Sequence, residues 1–246
     1  LWTSVIPLGA LDKSDMPSYW SQALPEREAE LPDLLKLSEV LDHYPLALTY
    51  AMGYLKTHPN QSVKQLIEDT QIRIQKIEKA PKTAWTTHPG VEATLQQSLE
   101  ALKAQGLDGE MALQLLTLLS LGATDGMPQI FLQDWIIDCA HQQPDLYVGL
   151  NLSESEADDT FEDGLDQLRR YQLVKFENRQ ELECEQIIAH QFLQSYVIRQ
   201  PTTEVIKDQC IPIGLEQLGT RITDFDVDNI ETRRTYQTWM VQIAAL

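Results

Sequence analysis

Few side chains in this chain are of a type and spacing that could do chemistry. His190, in Ala189-His190-Gln191-Phe192, is the histidine that stands out, because it follows two short extended runs and opens an apolar one. Taken by itself it suits a local hydrogen bond at a helix start. Asp138, Cys139 and His141 lie close enough to suggest metal ligation. No second ligand cluster accompanies them, and Cys139 shares its stretch with Trp135, Ile136 and Ile137, so burial as a small apolar residue is the better reading. Asp158, Asp159, Glu162 and Asp163 could pair as catalytic acids. They open a helical pattern, where carboxylates favour the positive end of the helix dipole and need no chemistry. No serine–histidine–acid or cysteine–histidine arrangement can be built from spacing.

The remaining candidate is a corner. Pro45 stands between two apolar runs of helical spacing, Leu34, Leu35, Leu37, Val40 and Leu41 before it and Leu46, Leu48, Ala51, Met52 and Leu55 after it. Proline lacks an N–H and fixes its φ, so it opens the second helix and cannot sit within a continuous one. The corner therefore predicts a helix N-terminus whose free N–H groups suit an anion such as a phosphate, or else an ordinary helix–loop–helix turn.

Composition narrows the classes. The 246 residues carry 37 acids against 19 bases, a net charge of -18, which disfavours a nucleic-acid surface. Arg169, Arg170, Lys175 and Arg179 are too few against that background to mark one. Cys139, Cys184 and Cys210 form no disulfide pattern and fit a reducing, cytoplasmic setting. No apolar run of membrane-spanning length and no basic-then-apolar leader occurs. The chain lacks an initiator Met and begins and ends in apolar sequence, which reads as a piece of a longer protein.

The elements that must position these residues are mainly helices. Residues 1–11 suggest a strand leaving a sheet that belongs to a neighbour, and Ser14 to Leu24 a short helix closed by Pro25. Residues 33–105 read as four helices: Asp33 caps the first, Pro45 opens the second, and Ser62 with Gln65 forms a capping box for the third. The fourth follows Pro89-Gly90 and turns Val91, Leu95, Leu99 and Leu102 inward. After Gly106 come a strongly apolar helix to about Gly122, a second from Pro128 and a third over about Ala157 to Tyr171. Two extended runs, Leu173 to Glu177 and Leu182 to Ile188, then flank a turn at Asn178-Arg179-Gln180, and His190 to Arg199 closes as a helix. That layout predicts a winged helix. Amphipathic stretches around Gly214 to Leu218 and Tyr236 to Leu246 follow. The expected fold is mainly α, with a helical bundle over 25–105, a winged-helix domain over 106–200 and linker helices over 201–246.

A proline-cornered bundle followed by a winged helix that ends in a histidine resembles the downstream half of the NB-ARC module of STAND signalling ATPases. That family includes plant resistance proteins, apoptotic protease-activating factors and bacterial proteins with tetratricopeptide repeats. Tyr44-Pro45-Leu46-Ala47-Leu48 resembles its Gly-Leu-Pro-Leu-Ala motif, whose proline lies on the adenine side of the nucleotide. The stretch from Pro89-Gly90-Val91 to Leu102 resembles the passage from bundle to winged helix. Ala189-His190-Gln191-Phe192 falls where the family has Met-His-Asp, whose histidine reaches the β-phosphate of ADP. The tail from Tyr236 resembles the helix that precedes tetratricopeptide arrays. His43 or Asp42 stands in place of the family's usual glycine, and Gln191 in place of its aspartate.

The resemblance implies nucleotide contacts from Pro45, Leu46 and His190, with ADP or ATP as cofactor and Mg held by an upstream P-loop domain, of which 1–24 would be the tail. No Gly-x-x-x-x-Gly-Lys-Ser/Thr occurs in this chain, so the fragment itself is not expected to be an enzyme, and its parent is expected to be a slow P-loop ATPase. The implied partners are that domain, downstream repeats and further copies of the same chain when active, with no nucleic acid and no membrane. The implied role is an ADP-closed, ATP-open switch in signalling or immune defence. A helical adaptor without nucleotide and a winged-helix transcription regulator are the alternatives.

Overall fold

The computed structural model describes residues 9–80, 88–145, 154–179 and 184–222. These are mainly helical, with one small antiparallel sheet of three strands. The chain divides into two compact units. One is Leu1–Ala101 with Arg170–Gln172, and the other is Leu102–Arg169 with Leu173–Leu246.

In the first unit, α1 (Met16–Ala23), α2 (Leu31–Val40), α3 (Pro45–Thr57), α4 (Val63–Lys79) and α5 (Pro89–Lys103, to Ala101) follow one another. Pro17, Pro32 and Pro45 stand in the first turns of α1, α2 and α3, where a missing N–H costs nothing. Residues 9–24 pack into this unit, burying Met16, Trp20 and Leu24. The Trp20 indole donates to Ser38 Oγ at 2.7 Å, and Ser38 donates in turn to the Leu34 carbonyl at 3.1 Å, so the buried polar atoms are satisfied.

The corner between α3 and α4 is tied by a buried arginine. Arg27, 6% exposed, donates to the carbonyls of Leu55, His58, Pro59 and Gln61 at 2.8–3.2 Å and to Glu30 at 2.9 Å. Glu30 accepts the Val63 amide at 3.1 Å, and Ser62 Oγ accepts that of Gln65 at 3.2 Å. The ends of two helices are thus satisfied by side chains. Asp33 does not cap α2 as expected. The helix already begins at Leu31, because Pro32 fits its first turn, and Asp33 sits inside that turn, paired with Lys36 at 3.1 Å. Gly53 of α3 lies against the backbone of Tyr171, and a Cβ at 53 would come within 2.5 Å of the Tyr171 carbonyl oxygen.

The second unit runs α6 (Leu107–Leu121), β1 (Met127–Pro128), α7 (Gln129–Gln142), α8 (Glu154–Arg170, to Arg169), β2 (Val174–Arg179), β3 (Cys184–Ala189), α9 (Gln191–Ile198) and α10 (Pro201–Ile222). The strand order is β1-β3-β2, with both pairs antiparallel. α6 is buried almost all round, through Met111, Ala112, Leu115, Leu116, Leu118 and Leu119. It lies close to α8, since a Cβ at Gly164 would meet the Met111 side chain at 2.5 Å.

Two expectations change here. Pro128 does not simply start α7. It first pairs in β1 opposite Gln186, with Gly126 at φ +111 just before the strand. Asn178 and Arg179 are not turn residues but the end of β2, paired with Glu185 and Cys184, because the ladder runs further than the alternation of Val174 and Phe176 indicated. The connection over 180–183, residues 1–8 of the strand expected over 1–11, Trp85 and the stretch from Tyr236 lie outside the described residues, and residues 9–11 form no strand. α10 packs on α7, where the Trp135 indole donates to the Cys210 carbonyl at 2.8 Å and Gly214 leaves room for the ring.

Candidate functional site

The turn from α2 into α3 has the hydrogen bonds of a Schellman motif. The His43 amide donates to the Ser38 carbonyl at 2.9 Å and the Asp42 amide to that of Glu39 at 3.2 Å. The motif requires a left-handed residue after the helix. Here two successive non-glycine residues take that conformation, Asp42 at φ +52 and His43 at φ +56. For L-residues this costs about 1–2 kcal/mol each. The His43 carbonyl accepts the Leu11 amide at 2.9 Å, which helps hold the turn.

Tyr44 then extends (φ -77, ψ 121), as a residue before proline must, and Pro45 and Leu46 become the first two residues of α3. Both are half-buried. Tyr44 offers no side-chain cap, and no acidic residue lies in the first turn. Its ring stacks on that of His88, 4.1 Å between centroids and 21° between planes. The result is a helix start with no side chain among the described residues committed to its first N–H groups, beside a pair of stacked rings.

His190 belongs to the second unit and directly follows Ala189, the last residue of β3. It is the N-cap of α9, in extended conformation (φ -63, ψ 138), with Nδ1 accepting the Phe192 amide at 3.1 Å. Its carbonyl accepts the Gln194 amide at 3.1 Å. Partial burial holds its pKa below the usual histidine value. An Nδ1 that accepts a hydrogen bond carries no proton, so the ring is neutral with its proton on Nε2. The structure therefore brings Pro45 and Leu46 together at one helix start and sets His190 at another, in the other unit.

Several of the remaining candidates have other partners or are buried. Cys139 is fully buried in α7, and among the described residues no group of three potential ligands could hold a metal ion. Asp138 accepts a hydrogen bond from Gln217 Nε2. Glu162 accepts from Gln129 at 2.8 Å. Arg169 pairs with Asp166 and lies 4.0 Å over the Phe176 ring, and Lys175 pairs with Glu177, so two of the four bases near the hairpin are matched by acids. Sequence reasoning missed the cleft of about 320 Å³ between α7 and α10, lined by Asp134, Asp138, Gln142, Ile213, Glu216, Gln217 and Thr220. Its two walls lie about 80 residues apart in sequence, so only their i, i+4 spacings could have hinted at shared helix faces. No helix among the described residues is long and apolar enough to cross a membrane.

No protein-family model matches the chain, and no curated protein matches it in sequence.

Proposed function

We propose that this chain is the regulatory part of a STAND-type nucleotide switch, a helical bundle followed by a winged helix. In this reading Pro45, Leu46 and His190 contact an ADP or ATP whose phosphates and Mg are held by a P-loop domain. The observation that carries the reading is the backbone of the corner. His43 stands at the glycine of the family's Gly-Leu-Pro-Leu-Ala motif, and its φ of +56 is the left-handed conformation for which glycine is favoured. A left-handed backbone at that position is one that glycine adopts without strain. The second support is the order helix, short strand, helix, helix, hairpin, with the outer strand on the hairpin and a histidine directly after it.

The cap at the start of α9 bears on the chemistry that such a contact would have. A capping His190 meets a phosphate as a neutral Nε2–H donor, not as the imidazolium that would make a stronger bond. With ADP bound, that contact would close the second unit. ATP, sensed together with a downstream ligand, would release it for assembly with further copies. The acidic balance and the pairing of Arg169 and Lys175 argue against duplex DNA as the target of the hairpin.

The test is calorimetric nucleotide affinity in the complete protein with its P-loop domain. His190→Ala should weaken ADP more than ATP by about 1–2 kcal/mol, because only the closed state makes the contact. Pro45→Ala should weaken both alike. Unchanged affinities in both variants would overturn the proposal.

A further inference from the structure

The start of α9 holds two states of one ring that exclude each other. Nδ1 of His190 accepts the Phe192 amide only while its lone pair is free, in the neutral Nε2–H tautomer. An imidazolium has no acceptor, and its charge would sit beside the positive end of the helix. α9 has eight residues, too few to stand without its cap and its packing. The helix buries Leu193 and Val197, and Gln194 Nε2 donates to the Leu119 carbonyl in the last turn of α6 at 3.1 Å. Disturbance at His190 therefore reaches the most buried helix of the unit.

Among the residues whose side chains are described, the charged groups on the helices packed against α9 are Asp108 and Glu110 of α6 and Glu204, Lys207, Asp208 and Glu216 of α10, with Arg199 at its own end. Among the described residues none forms an ion pair with His190, so no described carboxylate is placed to hold the charged ring.

We propose that His190 is a proton-sensitive helix cap: at neutral pH it fastens the passage from β3 into α9, and mild acidification releases it. This does not depend on the nucleotide reading, and it holds whether or not a ligand meets the ring. The sign follows from burial, which lowers the folded-state pKa below the ordinary value of 6.5. The unfolded chain then takes up the proton first as pH falls. The stabilisation is full above about pH 6.5 and is lost as pH falls through the lower folded value.

The experiment is nitrogen-detected NMR of the 246-residue chain with amide exchange, alongside thermal unfolding from pH 7.5 to 5. His190 should be the Nε2–H tautomer at pH 7.5 and titrate below 6.5, and protection of the Phe192 amide should fall in step. His190→Asn keeps a capping side chain that cannot titrate, so its Phe192 protection should persist to pH 5. Its unfolding midpoint should lose about 2–4 °C less than the parent's over that range. An Nδ1–H tautomer, titration at or above 6.5 with Phe192 protection unchanged, or an equal acid loss in His190→Asn would overturn the proposal. If His190→Asn does not fold, the tautomer and titration in the parent decide it.

Discussion

At the start of α3 a proline opens the helix and no side chain takes its first amides, whereas at the start of α9 the imidazole of His190 accepts the Phe192 amide. The other end of α3 makes the contrast sharper, because there one buried guanidinium reaches four carbonyls. Both helix ends at the α3–α4 corner are thus satisfied by side chains, and the open start is not part of a generally loose unit. A helix start without a side-chain cap leaves N–H groups to solvent or to a ligand. A capped start has committed one of them and gained stability in return.

The comparison breaks most severely at Arg27. Arg27→Ala removes the partner of four carbonyls and of the partly exposed Glu30 at this corner, and denaturant unfolding should show a loss of about 2–4 kcal/mol. A loss under about 1 kcal/mol would mean that the α3–α4 corner is held by apolar packing instead. His190→Ala should lower stability at neutral pH by about 1 kcal/mol, the usual worth of an N-cap, measured the same way. At the corner before α3 the sign reverses. His43→Gly should raise stability by about 0.5–1 kcal/mol by relieving a left-handed residue, and a loss would mean that the His43 side chain itself holds the turn. Smallest is Pro45→Ala, at about 0.5 kcal/mol, because the first turn needs no N–H there and only unfolded-state freedom changes. A much larger loss would show that the open start leans on the proline ring.

These four sites also separate what the sequence made legible from what it did not. Pro45 and Ser62 act within their own helix ends, so residue type and spacing suffice to place them. The apolar periodicities likewise brought out α2 to α8, whereas α10, which starts at Pro201, was legible only as an amphipathic stretch around Gly214 to Leu218. The role of Arg27 was not legible, because its four carbonyl partners lie 28 to 34 residues away and carbonyls leave no mark on side-chain identity. β1 escaped because two residues have no periodicity, and Pro128 reads as a helix opener whether or not it first pairs with Gln186. His190 was legible as a helix-start residue. Its capping atom, and hence its protonation state, was not, because that depends on a ring orientation that burial and the Phe192 amide decide.

Tyr171 sets an order of events for the nascent chain. The first unit takes in Arg170–Gln172, and Gly53 of α3 is shaped to receive the backbone of that short return. On a ribosome, α1 to α5 emerge complete while this piece is still about seventy residues from being made. At roughly 5–20 residues per second that is a wait of about 4–14 s. During it the Gly53 face of α3 stands uncovered, and the first unit closes only after about half of the second has been synthesised. Truncations ending before residue 170 should therefore give a first unit that is more readily cleaved by protease near α3 than the same segment in the full chain, and Gly53→Ala should reproduce that weakness in the full chain.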